Sequence, residues 1–213
     1  MLAFIVCVLL VCKGSALAEP RTLLTPPAAQ TQPATSQQRN SSKSRKKQTP
    51  PRPRKPDVIY YPTPSETVVE MLRLANIKPG DVLYDLGSGD GRIPIMAAKL
   101  YGIRAVGIEI DTQLIAVAEK AARQAGVSAL VKFRHADMFR TNIGEASVVT
   151  LYLSEKLNLL LKPKLLRELR PGTRLISHDF LMGDWKPQQS VKVPWETSLF
   201  RTIYLWIVPE KRC

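Results

Sequence analysis

The sequence predicts an α/β fold in which a doubly wound sheet is covered by helices on both faces. From residue 57 onward, short aliphatic runs alternate with amphipathic segments of helical length, and an acidic residue follows or ends each of the first three runs. Alternating strands and helices are typical of a mostly parallel sheet. A chain of 213 residues with 45% hydrophobic content is long enough to bury one sizeable core.

The most informative stretch is residues 82–92, which read VLYDLGSGDGR. An aliphatic run that reaches Asp85 is followed by three glycines in five residues and then by an apolar run, so we expect a strand, a tight loop and a helix. Glycine lets the backbone approach a ligand closely, and the helix presents free N–H groups to it. The Gly-x-Gly-x-Gly spacing differs from that of pyrophosphate-binding loops, and the acid beside it favours a cationic ligand.

This stretch resembles motif I of the class I S-adenosylmethionine-dependent methyltransferases. The resemblance implies a Rossmann-like sheet of seven strands whose last strand is antiparallel to the rest. It also implies that S-adenosylmethionine is the methyl donor. The residues of the motif that we expect to bind the donor are Asp85, Gly87, Ser88, Gly89 and Gly91.

Two later strand ends fit the same family. The second predicted strand ends at Glu109, and a carboxylate there can accept hydrogen bonds from a ribose diol, with Ile110 beside it. Asp111 is expected to cap the following helix instead. After the third strand, the resemblance places Asp137 at the adenine amino group and Met138 against the adenine ring.

The acceptor side is marked by softer signals after the fourth strand. Residues 151–155 read LYLSE and lack the Asp/Asn-Pro-Pro-Tyr signature of enzymes that methylate exocyclic amines of bases, which argues against a nucleic-acid base as acceptor. A lysine acceptor must lose a proton, and an apolar or aromatic channel promotes this loss by disfavouring the ammonium form. The candidate catalytic residues are Tyr61 and Tyr152 as channel walls and Glu155 as a proton acceptor.

Three other aromatic residues keep two interpretations each. Tyr60, like Tyr61, either packs against the first helix or belongs to the active site. Trp185 either walls the acceptor pocket or closes a loop over the core. His178 ends the fifth predicted strand, where packing is the favoured interpretation and a role as a base is the alternative.

Four segments together narrow the resemblance: residues 61–64, 85–92, 150–155 and 177–187. They resemble a bacterial methyltransferase group that is similar to the mitochondrial protein-lysine methyltransferases of the nucleotide translocase and the ATP synthase c-subunit. The resemblance covers about residues 57–208. It implies a protein substrate, with membrane proteins included. A monomer is expected as a separate interpretation. A small-molecule methyltransferase and a binding module without transfer activity are the alternatives.

The first 18 residues form an apolar leader. Residues 2–12 are almost wholly apolar, and Ala16-Leu17-Ala18 matches a signal-peptidase site. This run is shorter than the roughly twenty residues that span a bilayer, which favours a cleaved signal peptide and export. A basic residue follows the run and none precedes it, which favours an amino-terminal membrane anchor with a cytosolic domain. Both interpretations stay open.

Residues 19–56 are expected to be a disordered, Pro-rich and basic linker, followed by the methyltransferase domain at 57–213. Ten of the 31 Lys and Arg residues, but only one of the 18 acidic residues, lie before Asp57, so this part carries +9 of the net charge of +13. The linker favours an anionic membrane surface over nucleic acid, because no aromatic residues are interleaved to stack on bases. Cys7, Cys12 and Cys213 provide neither a disulfide framework nor a metal site.

Local signals also predict three details of the secondary structure. Thr63 is expected to cap the first helix in a capping box with Glu66. The helix over residues 156–169 is expected to break at Pro163, with six of its leucines in the core. Helices are expected between each pair of the first five strands.

Overall fold

The computed structural model describes residues 59–195 and 199–210. Within these ranges one sheet contains seven strands, in the order β3-β2-β1-β4-β5-β7-β6. The strands are β1 (Val82–Leu86), β2 (Arg104–Glu109), β3 (Val131–His135), β4 (Val148–Leu151), β5 (Arg174–His178), β6 (Gln189–Trp195) and β7 (Leu199–Ile207). The helices are α1 (Ser65–Leu74), α2 (Arg92–Tyr101), α3 (Thr112–Gln124) and α4 (Glu155–Glu168).

The first five strands pair in parallel, and β7 is antiparallel to both of its neighbours, β5 and β6. The predicted α/β class and the antiparallel last strand are therefore confirmed. The leader at 1–18, the linker at 19–56 and all three cysteines lie outside the described residues. None of the helices within 59–195 and 199–210 has both the length and the apolar character needed to cross a bilayer.

Two apolar clusters lie on opposite faces of the sheet. Leu83 and Ile176 belong to the first, which packs under α1, α2 and part of α3. Tyr84 and Leu175, their neighbours along the same strands, belong to the second, which packs under α4. Side chains alternate along a strand, and burial on both faces explains why the central strands are almost continuously apolar.

The strand order places a site at one edge of the sheet. Because β1 lies between β2 and β4, the chain reverses its direction of winding there, and the carboxyl ends of the three strands meet at one crevice. Open α/β sheets bind ligands at such a switch point. Asp85 on β1 is in register with Gly107 on β2 and with Thr150 on β4.

The predicted capping box at the first helix is wrong. Helix α1 begins at Ser65 with Pro64 in the N-cap position, and no side chain among the described residues caps it. The carbonyl of Thr63 instead accepts a hydrogen bond from Nη1 of Arg92 at 2.7 Å. Thr63 thus anchors the preceding chain to α2, and Pro64 takes the N-cap position of α1.

The predicted break at Pro163 is also wrong, because α4 continues through it as one helix. Pro163 has no N–H to donate to the carbonyl of Leu159. Leu159 lies on the exposed face of the helix, where water can donate the missing hydrogen bond. Four of the six predicted core leucines are buried: Leu157, Leu161, Leu165 and Leu169. Leu160 is exposed and Leu166 is half-buried, so the helix buries a narrower stripe than predicted.

The connection from β3 to β4 contains no helix, contrary to the prediction. Residues 136–147 consist of turns, bends and irregular backbone. Asp137 starts this connection with a local turn: its Oδ1 accepts a hydrogen bond from the N–H of Phe139, and its carbonyl accepts one from Oγ1 of Thr141. Side-chain oxygens that bond nearby backbone groups in this way compete with helix formation.

Strand β6 is the outermost strand at its end of the sheet and carries exposed Lys192 and Pro194. Proline is tolerated on an edge strand where its missing N–H would face solvent. Lysine and proline on an edge strand also disfavour pairing with another chain.

We predict that Gly91→Ala destabilises the fold by about 3 kcal/mol. Gly91 has a φ of 78°, and an added Cβ would lie 2.4 Å from Cζ of Phe133 and 2.8 Å from Cβ of Ala118. Left-handed backbone costs a non-glycine residue about 1 kcal/mol, and the collision adds an overpacking cost of about 1–3 kcal/mol. Urea unfolding of the two proteins measures the difference.

Gly126→Ala is the matched control. Gly126 has a φ of 71°, and nothing lies within 4 Å of an added Cβ. This variant is expected to lose only the backbone contribution of about 1 kcal/mol. Equal losses in the two variants would contradict the packing role of Gly91.

Candidate functional site

A cavity of about 460 Å³ opens at the carboxyl ends of β1, β2 and β4. Its walls come from five parts of the chain: the leading segment, defined as residues 59–63, the glycine loop after β1, the end of β2, the residues after β3 and the residues after β4. The predicted site residues that line it are Tyr61, Asp85, Gly87, Ser88, Gly89, Glu109, Ile110, Asp137, Met138 and Tyr152.

Backbone hydrogen bonds fix the glycine loop against β2. The N–H groups of Gly87 and Ser88 both donate to the carbonyl of Ile108, at 2.9 and 3.0 Å. Gly87 has a φ of 81°, and a Cβ there would collide with Leu153. Ser88 Oγ faces Gly107, since a Cβ on that glycine would lie 2.5 Å from it, and it has no hydrogen-bond partner among the described residues.

Asp85 lies at the floor of the cavity with only 3% of its surface exposed. Burial raises the pKa of its carboxyl to about 7, although a hydrogen bond from Thr150 lowers it and the charges of Glu109 and Asp90 raise it. Oγ1 of Thr150 donates to Oδ1 of Asp85 at 2.7 Å. A cation would stabilise a carboxylate in such a place, because bulk water does not reach it and no cationic side chain of the described residues compensates its charge.

Glu109 is held by three backbone N–H groups. Its Oε1 accepts from Ile110 at 2.7 Å and from Asp111 at 2.9 Å, and its Oε2 accepts from Gly89 at 2.8 Å. A carboxylate offers about four acceptor positions, so Glu109 keeps about one for a hydroxyl group of a ligand. Asp111 caps α3 by accepting from the N–H of Gln113, as predicted.

The leading segment is clamped to the glycine loop. The ring of Tyr60 covers Gly89, where a Cβ would lie 2.5 Å from Cε2 of the tyrosine. Arg92 forms an ion pair with Asp90 at 2.6 Å and bonds the carbonyl of Thr63. Burial and the neighbouring Asp90 carboxylate raise the pKa of Tyr60, which keeps its hydroxyl neutral.

Tyr152 forms the aromatic wall on the side of β4. Its ring stacks on His178 at a centroid distance of 4.0 Å and an interplanar angle of 30°, and Phe180 lies 6.1 Å away. Burial raises the pKa of Tyr152, so this wall is uncharged at neutral pH. Tyr61 lines the same cavity and is more than half exposed.

His178 is fully buried behind Tyr152 and does not line the cavity. Neither of its ring nitrogens has a hydrogen-bond partner among the described residues. Burial lowers its pKa to about 4, so the imidazole is neutral at pH 7. Asp179 beside it has a φ of 62°, a conformation that costs a non-glycine residue free energy, and its carboxylate bonds Arg201 at 2.8 Å.

Three predicted residues lie outside the cavity wall. Gly91 faces Phe133 and Ala118 and serves packing at the start of α2. Glu155 is exposed in the first turn of α4, because the helix starts there and directs its opposite side to the core. Trp185 packs near Trp206, whose Nε1 donates to its carbonyl at 2.7 Å, so it closes a loop over the core.

Sequence reasoning missed Thr150, Arg92 and the role of Tyr60 over the glycine loop. Thr150 stands out in hindsight as the polar residue of an otherwise aliphatic strand, and fully buried polar side chains normally have a partner. Arg92 and Tyr60 carry no such signal, because their contacts join parts of the chain that are about 30 residues apart.

Residues 85–189 match the family described as the ANTKMT methyltransferase domain. The chain is 40% identical over 158 residues to a protein-lysine N-methyltransferase of Saccharolobus islandicus. The match covers 74% of this chain and 98% of that protein. It is 35% identical over 131 residues to the mouse adenine nucleotide translocase lysine N-methyltransferase, and the match spans 61% of this chain and 56% of that protein.

A solved structure gives the same architecture. The RNA methyltransferase from Salinibacter ruber, in complex with S-adenosyl-L-homocysteine, is 50% identical, and the match covers 72% of this chain and 97% of that chain with a TM-score of 0.67. The fold, the crevice at the switch point and these similarities define a class I S-adenosylmethionine-dependent methyltransferase.

Within that class, the chain belongs to the family of the ANTKMT methyltransferase domain. The site fits the methyl donor, which combines cationic groups, a sugar diol and an adenine ring. Asp85 offers a buried carboxylate, Glu109 keeps an acceptor position, and Ile110 and Met138 offer apolar surface. No group of three or more metal-ligating side chains occurs in the described ranges.

We predict that the affinity for S-adenosylmethionine rises with pH between 5.5 and 7.5. The pKa of Asp85 is about 7 in the free protein, and a cationic ligand favours its charged form. Binding below pH 7 therefore releases a proton, and the dissociation constant should fall by up to about tenfold per pH unit. Calorimetry in two buffers of different ionisation enthalpy measures both affinity and proton release.

Asp85→Asn is the control for this pH dependence. The variant should bind weakly and release no proton from this position. Without ligand at pH 8 it should be more stable than the wild type by about 2–4 kcal/mol, because a raised carboxyl pKa costs stability as pH rises through its value. A wild-type pH profile that parallels the variant would contradict this assignment.

We predict that His178→Phe folds and retains methyl transfer. A phenyl ring preserves the stack with Tyr152 and removes two buried nitrogens that lack partners, so the free energy of unfolding should rise by about 1 kcal/mol. Urea unfolding and the rate of transfer test this together. A folded variant with a transfer rate more than a hundredfold lower would show that an imidazole nitrogen takes part in proton transfer.

Proposed function

We propose that the protein transfers a methyl group from S-adenosylmethionine to the side-chain amine of a lysine in another protein. The observation that carries this proposal is the match to the archaeal protein-lysine N-methyltransferase, because 40% identity extends over 98% of that relative. The mouse relative, which is also a lysine methyltransferase, supports the same acceptor.

The donor half of the cavity is proposed to lie along the ends of β1 and β2. Asp85 compensates positive charge, and Glu109 receives one sugar hydroxyl while it holds the glycine loop in shape. Asp137 and Met138, which follow β3, bind the adenine amino group and ring. Because Glu109 and the loop are fixed by backbone hydrogen bonds, this half is formed before the ligand arrives.

The acceptor half is proposed to lie between the leading segment and the end of β4. When bound, S-adenosylmethionine would supply an electrophilic methyl group: the amine lone pair forms an N–C bond to the methyl carbon as the C–S bond breaks, and S-adenosylhomocysteine leaves as a neutral thioether. Tyr61 and Tyr152 flank the path of the acceptor chain and orient it. Leu153 and Leu157 exclude water from the same part of the wall.

The same walls favour loss of the lysine proton. An ammonium group that enters an apolar and aromatic channel loses hydration, which lowers its pKa and favours the neutral amine. Tyr152 adds no negative charge that would oppose this effect, because its hydroxyl stays protonated. Glu155 lies outside the cavity, so we propose that the proton leaves to solvent before the amine is fully enclosed.

RNA is the second candidate acceptor, and the similarity to the Salinibacter ruber RNA methyltransferase favours it. The identity in that match is 50%, compared with 40% in the match to the archaeal lysine methyltransferase, and the two matches cover nearly the same share of this chain. The absence of the Asp/Asn-Pro-Pro-Tyr signature after β4 argues against base amines as acceptors. We therefore place protein lysine first.

Methyl transfer from labelled S-adenosylmethionine into host extract tests the proposal. The purified protein is incubated with extract that has been divided into protein, RNA and small molecules. We expect label in protein, stable to base and recovered as methyl-lysine after acid hydrolysis. Asp85→Asn serves as the control and should give no label in any fraction.

Each alternative has its own outcome. Label that is confined to RNA would overturn the lysine assignment in favour of the second candidate. Label that is confined to small molecules would indicate a small-molecule methyltransferase. Donor binding without label in any fraction would contradict transfer altogether and indicate a binding module.

A further inference from the structure

The β6–β7 hairpin projects beyond the edge of the sheet that carries the cavity. Strand β5 ends at His178, which pairs with Ile203 of β7, whereas β7 begins four residues earlier at Leu199. At about 3.3 Å per residue the hairpin extends roughly 13 Å past the paired end of β5. It therefore extends past the end of β5 on the side of the sheet where the cavity opens.

One face of this hairpin is linked to the cavity residue Tyr152 through a chain of side-chain contacts. Leu199 and Arg201 share a face with Ile203 because side chains alternate along a strand, and Trp195 pairs directly with Leu199. The guanidinium of Arg201 lies 4.8 Å from the ring centre of Trp195 and bonds Asp179. Asp179 adjoins His178, on which the cavity residue Tyr152 stacks.

The exposed part of this face is apolar. Leu199 is 58% exposed, and Trp195 beside it is half-buried. The charge of Arg201 is balanced by Asp179 and covered by the indole ring of Trp195. Exposed apolar side chains that adjoin a site are typical of surfaces that contact another molecule.

We propose that Trp195 and Leu199 form a docking surface for the polypeptide that carries the acceptor lysine. This inference rests on the proposed function. A lysine that reaches the cavity between Tyr61 and Tyr152 brings its flanking residues to the surface around the opening, and on the side of Tyr152 this hairpin face extends beyond the end of the sheet. Its apolar character selects flanking residues with apolar side chains.

Leu199→Ser tests the docking surface in the full-length protein. We expect the KM for host-extract protein, measured from initial rates of labelled methyl transfer, to rise about tenfold, as for loss of one apolar interface contact. The kcat and the affinity for S-adenosylhomocysteine should stay within twofold of the wild type, because Leu199 does not line the cavity.

Two variants serve as matched controls. Phe200 is 62% exposed on the opposite face of the same hairpin, and Leu100 is 52% exposed at the end of α2, at the far edge of the sheet. Phe200→Ser and Leu100→Ser should both leave the KM within twofold. A comparable rise in either control would overturn the proposal, because the effect would then be general to exposed apolar residues.

Other outcomes separate this inference from the function on which it rests. Protein labelling by the wild type, with an unchanged KM in Leu199→Ser, would overturn the docking surface alone. Absence of protein labelling by the wild type would overturn the lysine assignment and the docking surface with it. Reduced binding of Leu199→Ser to phosphatidylglycerol vesicles, with an unchanged KM, would assign the hairpin to a lipid surface and overturn the proposal.

Discussion

A carboxylate held out of water at the end of the central strand is the constraint around which the site is arranged. Asp85 has Thr150 as its hydrogen-bond donor, and the next acidic groups, Glu109 and Asp90, repel its charge. The protein keeps a group here whose charge is costly in the free state. A bound cation removes that cost. Relief of the unfavourable burial of this charge would therefore contribute to the free energy of donor binding.

The two halves of the cavity are built by different means. On the donor side, backbone hydrogen bonds fix the shape. The N–H groups of Gly87 and Ser88 donate to a carbonyl of β2, and three further backbone N–H groups donate to the carboxylate of Glu109. On the acceptor side, aromatic rings from separate parts of the chain define the wall. The side chains of the acceptor wall can be exchanged more readily than the glycines of the loop, which no other residue replaces without strain. Related proteins can therefore share the donor side of the cavity while their acceptors differ.

The fold, and the residues from the ends of β1 and β2 that line the cavity, could be predicted from sequence because both depend on local patterns. Aliphatic runs, a glycine loop and strand-end acids lie within short stretches, and the sheet topology then brings their ends together. The acceptor half could not be predicted in the same way. Whether Glu155 or Trp185 reaches the cavity depends on the rotation of α4 and the path of a loop, which follow from packing across the whole sheet.

The error at Pro163 has the same origin. Pro163 signals a helix break, yet the helix continues because packing of Leu161 and Leu165 outweighs one missing hydrogen bond. The packing of Gly91 against Phe133, which is 42 residues further along the chain, is likewise not marked in the sequence, and its role in donor binding stays a prediction. Both contacts join parts of the chain that local patterns do not connect.

The edge strand β6 also limits how a polypeptide can be recognised. Lys192 and Pro194 make its outer side a poor template for an added strand, because the proline offers no N–H to a ladder. A polypeptide that lies against the hairpin would therefore be recognised by contacts with its side chains. It would not pair with β6 as an additional strand of the sheet. Recognition of this kind tolerates helical or irregular acceptor segments as readily as extended ones.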